Sequence, residues 1–150
     1  MVNIFQYLEN TKGKLIPFKY KLLYNLPLNE SDLIINGFLE LYGTKLTWLP
    51  DNLTVSSFLD ISRSNIKSLP NNLTVNGNLY IEGLQITKLP DNLTVGESLS
   101  MSDTNILELP DNLIVNGSLY CYDTPLADNI NNNEELLKKY KKQIKGKIRF

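Results

Sequence analysis

The sequence predicts a repeat β-solenoid: 20-residue coils stacked on one parallel sheet, closed by a short N-terminal segment and by a C-terminal helix with a final strand. Three observations predict it. A 20-residue unit recurs from Leu49 to Asp128 with no insertion or deletion. The same unit positions are apolar in every copy. Around the centre of the unit, apolar residues alternate with polar or aromatic ones, as in a half-buried strand.

The four full copies read LPDNLTVSSFLDISRSNIKS, LPNNLTVNGNLYIEGLQITK, LPDNLTVGESLSMSDTNILE and LPDNLIVNGSLYCYDTPLAD, beginning at Leu49, Leu69, Leu89 and Leu109. A weaker copy, NESDLIINGFLELYGTKLTW, precedes them at residues 29–48, with Asn29 and Glu30 in place of Leu-Pro. Numbering the unit from its leading Leu, position 5 is Leu33, Leu53, Leu73, Leu93 and Leu113, and position 7 is Ile35, Val55, Val75, Val95 and Val115. Position 11 is leucine in all copies (Leu39 to Leu119), position 13 is Leu41, Ile61, Ile81, Met101 and Cys121, and position 18 runs from Leu46 to Leu126. So short a unit cannot bury these side chains alone, whereas stacked copies bury them in continuous ladders. Positions 11 and 13 supply the predicted strand. The Pro at position 2 cannot donate to a ladder, and the Asp-Asn after it suits a turn. The return segment has no room for a full helix.

The spacing L-x-[LIMC]-x-x-[TS]-x-[LI]-x-x-L-P resembles the short bacterial type of leucine-rich repeat. In that family an Asn holds the turn after the strand. Here Thr44, Ser64, Thr104 and Thr124 stand in that position, with Leu84 in the remaining copy. A hydroxyl can make the same local backbone bond more weakly, and Leu84 cannot make it. The spacing Val75-Asn-Gly77-Asn-Leu79 equally fits a coil of a generic β-helix. Arrays of this DNLTV type are similar to those of phage and mobile-element proteins. The resemblance implies a strand face that carries ligands, and a role in modulating or inhibiting a host protein.

A stack of coils exposes its core at both ends, so the flanks are expected to be caps. Residues 129–143 read as a helix, with Asn133 as N-cap, Glu134 and Glu135 in the first turn and lysines in the last. Leu136, Leu137, Tyr140 and Ile144 fall at helical spacing to cover the last coil. The tail Ile144-Lys-Gly146-Lys-Ile148-Arg-Phe150 repeats the coil spacing and predicts a terminal strand. At the other end, residues 3–10 are expected to be helical and Leu15 to Tyr24 extended. There Lys19 and Lys21 would face outward, and Tyr20, Leu22 and Leu26 would seal the first coil. The domain organisation is thus a single unit: cap 1–28, five coils 29–128, and a closing segment 129–150.

Composition narrows the function. There is no histidine, the commonest general base and metal ligand, and a single cysteine, which excludes a disulfide framework within the chain. No run of apolar residues is long enough to span a membrane. The first residues lack the basic-then-apolar pattern of a secretory signal, so a cytoplasmic protein is expected. Charge is segregated: residues 29–128 hold 13 acidic and 4 basic side chains, net −9, against net +3 for residues 1–28 and net +5 for residues 129–150. An acidic body makes nucleic acid a poor partner.

The outward positions of the strand, 10, 12 and 14, carry aromatic residues among small polar ones and a few charges. That composition is typical of recognition surfaces, although strands also favour aromatic residues for their own sake. Phe38, Glu40, Tyr42, Phe58, Asp60, Tyr80, Glu82, Tyr120, Tyr122 and Arg149 are the candidate partner-binding residues. Glu40 and Asp60, on neighbouring coils, are the only carboxylate pair worth testing for catalysis. Cys121 occupies an inward position and reads as a packing thiol. Trp48, at the turn before the first Leu-Pro, reads as a lid over the weak first coil or as an anchor for a partner. The Asp51, Asp91 and Asp111 series, interrupted by Asn71, reads as solvated turn residues. The expected function is therefore a non-enzymatic protein-binding module without cofactor or metal, monomeric or weakly self-associating. A structural, self-assembling solenoid is the alternative.

Overall fold

In the computed structural model, which describes residues 16–150, each coil contributes two strands of two residues. Strands β1 (Ile34–Ile35), β3 (Thr54–Val55), β5 (Thr74–Val75), β7 (Thr94–Val95) and β9 (Ile114–Val115) pair in that order in a five-stranded sheet. Strands β2 (Leu39–Glu40), β4 (Leu59–Asp60), β6 (Leu79–Tyr80), β8 (Leu99–Ser100), β10 (Leu119–Tyr120) and β11 (Ile148–Arg149) form a six-stranded one. Every pairing is parallel, and through the five coils the register advances by one unit, Leu39 to Leu59 to Leu79 to Leu99 to Leu119. The single sheet expected from the sequence is thus corrected to two. Leu-x-Val at positions 5 to 7 alternates just as positions 11 to 13 do, and a corner at positions 8 and 9 separates the two strands.

The core is the set of ladders between the sheets. Leu53, Val55, Leu59, Ile61 and their equivalents in the following coils are essentially without solvent exposure. The turn after β2 and its equivalents is held as anticipated: the hydroxyls of Thr44, Ser64, Thr104 and Thr124 donate to the carbonyls of Leu41, Ile61, Met101 and Cys121 at 2.6–2.9 Å. Leu84 is fully buried and replaces that bond with packing. The residue before each of these takes the left-handed conformation, with φ of 63° at Gly43, 54° at Arg63, 69° at Gly83, 58° at Asp103 and 54° at Asp123. The Leu-Pro corner has a second such position, at Asn52, Asn72 and Asn92. Asparagine tolerates it better than most residues. The Asp51 carboxylate accepts the backbone N–H of Asn71 at 2.8 Å, so this turn residue also joins two coils.

At the C-terminus, helix α2 (Pro125–Asn131) begins inside the fifth repeat, and α3 (Glu134–Tyr140) follows after a break. The sequence reading expected one helix over 129–143. Thr124, whose hydroxyl accepts from Ala127 N at 3.1 Å, and Pro125 in the first turn make an N-cap that starts the earlier helix. Asn133 caps α3 as expected, accepting from Leu136 N at 3.0 Å. Ile148 stands 29 residues after Leu119, so the helices insert nine residues into the period before β11 resumes it. Ile144 bridges to Val115 in the same displaced register.

At the N-terminus, the expected helix over 3–10 lies outside the described residues. The expected extended segment is corrected: Phe18–Leu23 is a helix, α1. Phe18 and Leu22, one helical turn apart, pack on the first coil, and Leu22 is buried. Tyr20 is about one-third exposed and stacks on Tyr24 with ring centroids 6.5 Å apart. Lys21 does not point into solvent but pairs with Asp32 at 2.6 Å, in a site where both side chains are mostly covered. Asp32 also closes a capping box with Asn29 on the 3₁₀ turn Glu30–Leu33.

Candidate functional site

The six-stranded sheet presents the predicted positions on one outward face. Inward leucines alternate with Glu40, Asp60, Tyr80, Ser100, Tyr120 and Arg149, which pair in register from coil to coil. The aromatic residues at the N-terminal end form a continuous run. Phe38 stacks on Phe58 with ring centroids 5.0 Å apart and planes 5° from parallel, and Phe58 meets Tyr80 edge-on at 6.3 Å. Phe38 and Tyr42 are more than half exposed, and Tyr122 nearly so. Tyr80 and Tyr120, both half-buried, line one hollow of about 330 Å³ with Asn78, Ser98 and Ser100.

Side chains between the aromatic residues fix the backbone of this face. Asn78 Oδ1 accepts from Ser98 N at 2.9 Å, Ser98 Oγ from Ser118 N at 3.1 Å, and Ser118 Oγ from Lys147 N at 3.1 Å. Ser62 and Ser102 do the same for Glu82 and Tyr122 one coil on, each at 3.2 Å. These bonds run along the stack in addition to the strand ladder, and they hold the tyrosines on a stiff platform. Asp60 accepts from Ser62 N at 2.9 Å, and Ser100 donates to Glu82.

The structure therefore brings together Phe38, Phe58 and Tyr80 in one run, and Tyr80 with Tyr120 in one hollow. It aligns Glu40 with Asp60 and sets Arg149 at the edge beyond Tyr120. Tyr122 lies at the rim, where with Asp123, Asp128, Asn131 and Phe150 it lines an open hollow of about 670 Å³ beside α2. Only its rim reaches the strand face. Glu97 was missed by the sequence reading. It sits at a corner position, and its Oε2 accepts from Asn78 Nδ2 at 2.6 Å. The signal was available: Glu97 is the one charged residue at a position otherwise filled by Gly or Ser.

Two other features fall off this face. Trp48 is 44% exposed. With Pro70 and Pro90 it lines a groove of about 380 Å³ along the Leu-Pro corners. Cys121 is fully buried, and burial pushes its thiol up to about 11. No group of His, Cys, Asp or Glu among the described residues is arranged to hold a metal ion. No described helix is long and apolar enough to cross a membrane.

Comparison with protein-family models, curated proteins and solved structures returns no match.

Proposed function

We propose that the chain is a non-enzymatic protein-binding module whose partner lies on the outward face of the six-stranded sheet. The observation that carries this reading is the stacked run Phe38–Phe58–Tyr80 continuing into the Tyr80–Tyr120 hollow. Aromatic residues anchor interfaces because they cover much area with few torsions to freeze. Here they stand on a backbone already fixed by the ladder and by the serine bonds, so little further ordering opposes binding. Tyr42, Tyr122 and Glu82 form the rim. Arg149 marks the basic end of the face.

The leucine-rich spacing described above and the hydroxyl-held turns support placing the coils with short leucine-rich repeats. The resemblance to phage and mobile-element arrays supports a modulator or inhibitor of a host protein acting in the cytoplasm. Self-assembly is the second reading, favoured by β11, which has no strand on its outer side among the described residues. Charge opposes it. Lys147 and Arg149 stud that edge, and at the opposite edge Lys19 Nζ occupies the Glu40 carbonyl at 2.8 Å.

The two readings separate in one experiment: capture from host lysate with wild-type protein, Tyr80→Ala/Tyr120→Ala and Trp48→Ala, with light scattering of each pure protein. A module binding on this face retains its partner in Trp48→Ala, loses it in the tyrosine variant and is monomeric. A defined oligomer with no partner contradicts the reading.

A further inference from the structure

We infer that the strand face takes a basic protein segment and seats one of its arginine side chains in the hollow between Tyr80 and Tyr120. The inference rests on the strand face being the binding face, and adds the chemistry of the partner.

The first support is charge. From the corner at position 9 through position 14, the five coils carry Glu40, Asp60, Glu82 and Glu97 and no lysine or arginine. The ion pairs among the described residues are Lys21–Asp32, Lys138–Glu134 and Lys139–Asp111, so none of these four carboxylates is ion-paired to a described residue, and Lys19 reaches only the backbone carbonyl of Glu40. Two of the four stand beside the hollow, each bonded to a residue that lines it. Ser100, on its wall and only 8% exposed, donates to Glu82 Oε1. Asn78, also lining it, donates to Glu97 Oε2 at 2.6 Å. The second oxygen of each carboxylate accepts no hydrogen bond from a described residue, which leaves two acceptors for the donors of a guanidinium.

The second support is spacing. Tyr80 and Tyr120 belong to strands separated by one other, which at strand spacing places their Cα atoms about 9.6 Å apart. A planar group in van der Waals contact with a ring on either side needs about 7–8 Å. The Cα interval exceeds that requirement, and the hollow of about 330 Å³ lined by both tyrosines admits a guanidinium. Arginine joins a planar cation that lies on aromatic rings to a fork of donors that matches carboxylates, whereas the lysine ammonium is a compact point charge. The remainder of the segment would run from the hollow toward Phe58, Asp60, Phe38 and Glu40. The other direction leads to Lys147 and Arg149, which repel it.

The test is a titration of ¹⁵N-labelled protein with acetyl-Gly-Arg-Gly-amide and with the same tripeptide carrying citrulline, lysine, tyrosine or aspartate at its centre. The expected result is amide shifts centred on Ser98, Ser100 and Tyr120 with the arginine peptide, about tenfold weaker binding for citrulline, and loss in Tyr80→Ala/Tyr120→Ala. Glu82→Gln/Glu97→Gln, which keeps the shape of both side chains, should weaken the arginine peptide about fivefold while leaving citrulline unchanged. Citrulline, tyrosine or aspartate binding the hollow as well as arginine would overturn the arginine assignment and leave the strand-face reading standing. Arginine shifts centred on the Trp48 groove or on Asp123 and Asp128 would overturn both. Absence of shifts with every peptide at millimolar concentration would overturn the arginine assignment alone.

Discussion

The phenol of Tyr140, in α3, accepts the backbone N–H of Leu109 at 3.2 Å, tying the C-terminal helix to the Leu-Pro corner of the fifth coil. Tyr140 is buried, and Gln143 reinforces the tie by donating to the carbonyls of Pro110 and Asp111 at 2.7 and 2.6 Å. The closing segment is therefore bonded to the coil it covers. Tyr140→Phe leaves the Leu109 N–H buried and unpaired, which should cost about 1–3 kcal/mol in urea unfolding. Removal of residues 129–150 also uncovers Val115, Leu119 and Cys121, and the shortened chain should aggregate or lose most of its stability. A truncated chain as stable as the whole would show that these residues close nothing.

Leu79 and Leu99 lie on adjacent strands in register, and neither has solvent exposure. Either leucine replaced by alanine should cost about 2–5 kcal/mol. Either replaced by aspartate should leave the chain unfolded by circular dichroism, because an unpaired carboxylate cannot be hydrated between coils. A folded aspartate variant would mean that the inward ladder has been assigned to the wrong positions.

Arg63 and Gly83 occupy the same turn position in successive coils, both with positive φ. The two predict opposite outcomes. Arg63→Gly relieves a side chain held in the left-handed region and should stabilise by about 0.5–1 kcal/mol after the entropy of glycine is offset. Gly83→Ala adds a Cβ that meets Arg63 Cγ at 3.3 Å and strains the turn as well, and should cost about 1–2 kcal/mol. Thermal unfolding of the two variants is the check.

The Asp32 carboxyl is held below its ordinary value by the hydrogen bond from Lys21, and next by the backbone N–H of Asn29. A lowered carboxylate pKa stabilises the folded state above the unfolded value, and that contribution is lost as pH falls through the folded value. Unfolding of the wild type should therefore steepen below the ordinary carboxyl range of about pH 4. Asp32→Asn and Lys21→Met should be less stable at neutral pH and should lose less on acidification. Identical acid profiles in the variants would refute a structural role for this pair.

Burial that pushes the Cys121 thiol to about 11 keeps it protonated at neutral pH. A thiol-specific reagent at pH 8 should find it unreactive in the native protein and fully reactive in denaturant. Rapid native reaction would place Cys121 outside the core.

The period of 20 made the stack and its inward leucines legible, because each ladder is written directly into the unit. The second sheet was not, since Leu53-Thr-Val55 and its equivalents read as part of the turn that follows Leu-Pro, although they alternate as positions 11 to 13 do and carry a two-residue strand of the same length. Pro125 was hidden for a different reason: it occupies a repeat position and starts a helix at once, and only Thr124 before it signals the cap. Lys21 looked like a solvated charge because its partner, Asp32, lies 11 residues away. On the face, the aromatic residues were legible one by one. The hollow between Tyr80 and Tyr120 was not, because it requires knowing that Ser100 is small, buried and in register with both.

The measurement that bears most directly on the strand face as the binding surface is site-specific photo-crosslinking. Benzoylphenylalanine would replace, one at a time, Phe58, Tyr80 and Tyr120 on the face, and Trp48 and Leu107 away from it, with partner capture in cells. Crosslinks to one protein from all three face positions and from neither of the others is the result expected here. Crosslinks from Trp48 or Leu107 alone, with silence at the tyrosines, would contradict it.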